Sequence, residues 1–285
     1  MSRFLVALLL AAATASASGG ARRTPLGRQV EAYVAEAELV PLPAPSETFL
    51  SAAAQGGVMG WGSFRLDVWL PSLSGTTISD DSGNTMDADD LGVGDAEVIV
   101  VPRALLSLGG VGLLVDAYRF QTEGDGTVTG TFTFGGIDFT VNEDVHTDVD
   151  ITNIRGLLTV PVVNTDFLRI SLLGGISYYD FNVTVTGEVS GTGSVSAPVP
   201  VPLVGVLGQA KFGPLLLELE VSGLTANYGD FDISYLDVQG SVGVQFLKIV
   251  AVRAGYRLVA IDGTIEGLDV DGVLDGFFVG ASLNF

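Results

Sequence analysis

Gly276-Phe277-Phe278-Val279-Gly280-Ala281-Ser282-Leu283-Asn284-Phe285 ends the chain on a run of alternating residues. In an extended strand Phe277, Val279, Ala281, Leu283 and Phe285 face one way, and Gly276, Phe278, Gly280, Ser282 and Asn284 face the other. A terminus normally frays unless something ties it down. A strand that runs to the last residue with no polar tail needs a partner along both edges, and a sheet closed on itself supplies them.

Upstream of this stretch the alternation recurs in segments of about ten residues, the length of a membrane-crossing strand. Trp61 to Leu70 sets Phe64, Leu66, Val68 and Leu70 against Ser63, Arg65, Asp67 and Trp69. Further segments run over residues 95–106, 111–121, 151–163, 167–181, 201–211, 215–226, 233–246 and 249–261. With the terminal stretch they predict ten strands. Short turns follow the second, fourth, sixth and eighth at Ser107–Gly110, Asn164–Asp166, Gly213–Pro214 and Leu247–Lys248. Longer acidic or Gly/Ser/Thr-rich connections follow the odd-numbered strands. An even strand count with connections that alternate in length predicts an all-β, closed, antiparallel up-and-down transmembrane barrel rather than a Greek-key sandwich. Two long connections are themselves β-like, residues 127–141 around Gly135-Gly136 and residues 182–196, and both are expected to extend the wall beyond the membrane.

The final strand, closing on Phe285, together with this repeat, resembles bacterial outer-membrane β-barrel proteins. The resemblance implies an integral protein of the cell outer membrane in a Gram-negative envelope. Its partners would be membrane lipids, lipopolysaccharide and the barrel assembly machinery, which reads Phe277, Leu283 and Phe285 as a terminal signal.

Composition agrees. Glycine is 38 of 285 residues, charged residues are 16%, and no cysteine is present to form a disulfide or carry a lipid anchor. Met1-Ser2-Arg3, the apolar run Phe4 to Ala13, and Ala15-Ser16-Ala17 form the three regions of a secretory signal, with cleavage expected after Ala17 or, alternatively, Ala15. The expected organisation is therefore a signal over 1–17, a periplasmic segment over 18–57, and the barrel over 58–285. Val30, Tyr33, Val34 and Ala37 have helical spacing ahead of Pro41, Pro43 and Pro45, so the lead holds a short helix or a flexible tether; a helix bracing the lumen is the sharper alternative.

Alternation also gives the charges a direction. Opposite the apolar face lie Arg65, Arg103, Arg155, Arg169, Lys211, Arg253 and Arg257 with Asp67, Glu97, Asp116, Glu218, Glu220 and Asp237. A lipid-facing charge at the bilayer midplane costs about 2–4 kcal/mol, so these residues are expected to form a charge network in the lumen. Ten strands enclose little space once such side chains are counted, and a mostly filled lumen is the expectation. The alternative is a narrow, porin-like path for small or apolar solutes.

The net charge of −20 gathers in the connections, which excludes nucleic acid as a partner by sign. Asp87, Asp89 and Asp90 are dense in oxygen, and divalent cations at these loops are one reading, but no calcium-loop spacing is present and a solvated acidic surface is the simpler one. Omptin proteases have the same strand number and work through carboxylates and a histidine on the rim. Their catalytic motifs do not align here, so no catalytic residue, metal or cofactor is assigned. The single histidine, His146, with Asp144 and Asp148 on its face, is the only candidate for a rim enzyme. The expected function is non-enzymatic: an envelope-structural or surface-binding barrel acting through acidic external loops.

Overall fold

The computed structural model describes residues 62–79, 84–108, 110–228, 231–246, 249–265 and 268–285. The signal over 1–17, the segment over 18–57 with its helix, and the Leu247–Lys248 turn lie outside the described residues.

The strands are β1 (Gly62–Ser79), β2 (Thr85–Asp87), β3 (Ile99–Leu108), β4 (Val111–Thr127), β5 (Phe132–Phe134), β6 (Ile137–Phe139), β7 (Asp144–Asn164), β8 (Leu168–Gly187), β9 (Gly191–Phe212), β10 (Leu215–Tyr228), β11 (Phe231–Phe246), β12 (Val250–Ile265) and β13 (Leu268–Asn284). Setting aside the short β2 and the separate β5–β6 hairpin, ten strands pair antiparallel in chain order, and β13 returns to β1. The ladder from Ser63↔Asn284 to Leu70↔Phe277 is unbroken, and Gly62 and Phe285 exchange two backbone hydrogen bonds of 2.9 Å. Closure removes both sheet edges, as the terminal alternation predicts.

Every second residue of the wall points outward, and in the short-turn half most of these are apolar. Phe64, Leu66, Leu70, Ile154, Leu158, Ile176, Val279 and Leu283 are exposed, and Phe277 is 72% exposed. So large an apolar belt is unfavourable in water and favourable in lipid. The strands outrun it: β7, β8 and β9 have 21, 20 and 22 residues, about twice what a crossing needs. The barrel thus has a short-turn end, where Gly62 and Phe285 lie, and a long-strand end.

The two β-like connections part ways here. Residues 182–196 continue β8 and β9 and extend the wall as expected. The hairpin around Gly135-Gly136 does not. Its glycines take φ of 56° and 77°, the left-handed pair that a two-residue turn requires. The hairpin forms its own two-stranded sheet and folds back onto the barrel mouth, burying Phe132, Phe134 and Phe139. Three aromatic side chains gain more by covering an apolar interior than by standing in water. The connection after β1 behaves likewise. It turns Met86, Ala88, Leu91 and Val93 inward and leaves Asp87 and Asp89 exposed.

Candidate functional site

The interior is layered along the barrel axis. Nearest the short-turn end, Arg65 meets Asp67 at 2.7 Å and Glu218 at 2.7 Å, and Glu218 also takes Arg253 at 3.4 Å and a hydrogen bond of 2.9 Å from Gln209. In the next layer Arg103 contacts Glu220 and donates to Gln239 at 3.0 Å. Arg155, fully buried, contacts Asp116 at 2.6 Å, Glu220 at 2.7 Å and Asp237 at 2.8 Å. Arg257 completes the layer on Asp237 at 2.8 Å, its guanidinium over the rings of both Trp69 and Tyr118, 5.2 and 5.1 Å from their centroids.

Five arginines and five carboxylates are joined in this network, so its formal charge is zero. Many of its contacts span the lumen. Arg103 on β3 and Glu220 on β10 stand on opposite walls, five strands apart in either direction. A void lined by Arg65, Asp67, Arg103, Asp116 and Arg257 is about 10 Å³, room for about one water molecule.

Three residues that parity places on this face stand apart from the network. Glu97 lies two residues before β3 begins, half-buried, where its N–H donates to Pro71 O at 2.8 Å. Arg169 is buried toward the short-turn end and donates to Ser107 Oγ at 3.4 Å. Lys211, half-buried, is one residue from the end of β9. All three sit at strand ends, where direction along the pleat no longer implies depth in the lumen. Phe277, Leu283 and Phe285 lie on the outer face of the closing strand.

Above the charged layers a chain of phenols forms a floor. Tyr118 and Tyr179 share a hydrogen bond of 3.2 Å, Tyr179 donates to Tyr235 at 2.8 Å, and Tyr235 donates to Asp237 at 3.3 Å. On this floor stands a chamber of about 120 Å³ whose accessible lining is carbon. β1, β4, β7, β8, β9, β12 and β13 supply its walls, and among the described residues none comes from β10 or β11. Ala88, Leu91 and Val93 from the first connection and Phe134 from the hairpin cover it.

Glu143 anchors that cover. Its carboxylate accepts from Ser190 Oγ at 2.5 Å, from the N–H groups of Ser190 and Val189 at 2.6 and 2.9 Å, and from Thr140 N at 3.1 Å. The Ser190 hydroxyl, with the N–H donors behind it, pulls the Glu143 pKa down to about 2.

His146 is on the outer face of the wall. The pairing Asp125↔His146 sets Asp125 beside it, and Nδ1 donates to that carboxylate at 2.7 Å, which raises the imidazole pKa. Asp148 stands 3.9 Å from Nε2. Glu123, opposite Asp148 on β4, joins His146 and Asp148 in a group whose imidazole and carboxylate ligand atoms lie within 4.8 Å of one another. Asp87, Asp89 and Asp90 are not gathered in this way: the Asp90 carbonyl instead accepts from Thr127 N at 3.0 Å and the Asp89 carbonyl from Gly92 N at 3.1 Å.

No protein-family model matches the chain, and no characterised protein matches it in sequence. Solved structures do match in fold. The outer membrane protease OmpT from Escherichia coli superposes with a TM-score of 0.50 at 11% identity, over 78% of this chain and 97% of OmpT. The transport unit of the autotransporter AIDA-I from Escherichia coli gives 0.39 at 8%, over 87% and 93%. The translocator domain of the autotransporter NalP from Neisseria meningitidis gives 0.38 at 10%, over 84% and 93%. The chain has the fold of bacterial outer-membrane β-barrel proteins.

Proposed function

We propose that this chain is a non-enzymatic, integral outer-membrane barrel, exported by its N-terminal signal, that is closed to flow through its lumen and works at the cell surface by binding. The observation that carries this reading is Arg155, wholly buried and bridging carboxylates from β4, β10 and β11. A guanidinium and a carboxylate taken out of water are held only by each other, and breaking one such pair costs about 3–5 kcal/mol. A water path would have to part several at once. The short-turn end then faces the periplasm, and the covered chamber with its acidic loops faces outward, among lipopolysaccharide and the cations that accompany it.

Protease activity belongs to OmpT and is not carried over. His146 stands on the outward face of one wall, in an open hollow of about 490 Å³ that Asp125, Asp144 and Glu188 also line. Liposome swelling tests the proposal. Vesicles containing the refolded barrel should swell in arabinose no faster than empty ones, and swelling that scales with solute size would overturn it.

A further inference from the structure

β9 and β10 separate partway up the wall. Their ladder runs from Leu215↔Phe212 to Gly223↔Val204 and stops, while β9 stays bridged to β8 up to Gly187↔Gly191. The part of β9 without a β10 partner includes Pro198-Val199-Pro200-Val201-Pro202-Leu203. An antiparallel ladder sends the N–H and C=O of alternate residues to opposite neighbours, and proline has no N–H. The bridges to β8 continue through these prolines and need donors, so Val199, Val201 and Leu203 face β8. Pro198, Pro200 and Pro202 therefore turn a donorless edge toward β10. Three prolines at every second position stop the two strands from zipping further.

This seam lies at the upper margin of the lipid-facing belt. Pro202 is opposite Ile176 and Pro200 opposite Tyr178, both exposed, whereas Pro198 is opposite Asp180. A tyrosine at the edge of an apolar band is the usual marker of the membrane interface. Immediately beyond the prolines, Ala197 turns inward and lines the chamber. The chamber, about 120 Å³, is close in size to an engineered apolar cavity of about 150 Å³ that stays dry and binds benzene. Tyr118, Phe134, Tyr179 and Phe181 offer it ring surfaces, which favour an aromatic guest. Below it the ion pairs block any exit to the other side.

We propose that the chamber is a binding site for a hydrocarbon about the size of one aromatic ring, loaded sideways from the membrane through the proline seam between β9 and β10. Benzene is the probe. The refolded barrel in nanodiscs, with labelled alanine methyls, is titrated while Ala88 and Ala197 report on the chamber and the exposed Ala254 and Ala281 report on the surrounding lipid. The chamber methyls should shift saturably, and the lipid-facing methyls should follow simple partition. Val195→Phe on the wall and Ala88→Leu on the covering loop, which lies outside the ten barrel strands, should each weaken binding by about tenfold through overpacking. Replacing Pro198, Pro200 and Pro202 together by valine restores three donors, and should slow benzene exchange by at least about tenfold as the ladder lengthens. Chamber methyls that never saturate, or filled variants that bind as the parent does, would overturn the site. Unchanged exchange in the triple variant would overturn the sideways route. Conductance does not enter these readouts, so their failure is distinguishable from failure of the sealed-lumen reading.

Discussion

Arg155 Nη1 lies 2.8 Å from Asp237 Oδ2, although β8, β9 and β10 stand between their strands along the wall. Two side chains from facing walls meet because a ten-stranded barrel is narrow enough for an arginine and an aspartate to span it. That contact ties facing walls of the ring together at this level.

Removing Arg155 leaves Asp116, Glu220 and Asp237 facing one another without their shared cation. Arg155→Ala should destabilise the barrel by about 3–5 kcal/mol, read from urea unfolding in lipid vesicles. Arg119→Ala removes an exposed pair with Asp150 on the outer surface and should leave the unfolding transition almost unchanged.

The Glu143 tie should be sensitive to acid. Its pKa in the folded chain is about 2, below the ordinary carboxylate value of 4.5, so the anchoring is fully present above pH 4.5 and is lost as pH falls toward 2. Hydrogen exchange at the Val189 and Ser190 amides should quicken through that window. Glu143→Gln should show fast exchange already at neutral pH.

For His146 the sign is opposite. The hydrogen bond to Asp125 raises its pKa, so the contact is held below the ordinary imidazole value of 6.5 and is lost as pH rises through the raised one. An NMR titration of the ring should find its midpoint above 6.5, and Asp125→Asn should bring the midpoint down.

Phe278, the one large residue on the inner face of Gly276–Phe285, has its place because Gly255 has no side chain. A Cβ at Gly255 would come within 2.5 Å of the Phe278 ring and 2.2 Å of the Gly240 carbonyl. Gly255→Ala should cost about 1–3 kcal/mol in the same unfolding assay. Gly130→Ala, where a Cβ meets nothing within 4 Å, should be close to neutral.

The alternation from Gly276 to Phe285 and its repeats made the strand number, the closure onto Arg65 and Asp67, and the inward direction of most charges legible from sequence. A period of two fixes which way a side chain points. It does not fix how far along the barrel the residue sits, which is why Glu97 and Lys211 share the parity of the network without joining it. Nor does it reveal partners across the wall: Asp125 beside His146 depends on the β4–β7 register, and Arg103 with Glu220 on closure of the whole ring. Treating the apolar face as the lipid face fails in the long-strand half, where Val199 and Val201 turn inward between outward prolines. Nothing in residues 132–139 distinguishes a hairpin that extends the wall from one that folds over the mouth. Burial of three phenylalanines decides that, and only the finished barrel provides the surface they cover.

Whether paired charges close the lumen is read from planar-bilayer recording of the purified barrel. The sealed network predicts no stable unitary conductance at moderate voltage and salt. A steady unitary conductance in the parent protein, altered or abolished by Arg155→Ala or Arg253→Ala, would contradict it.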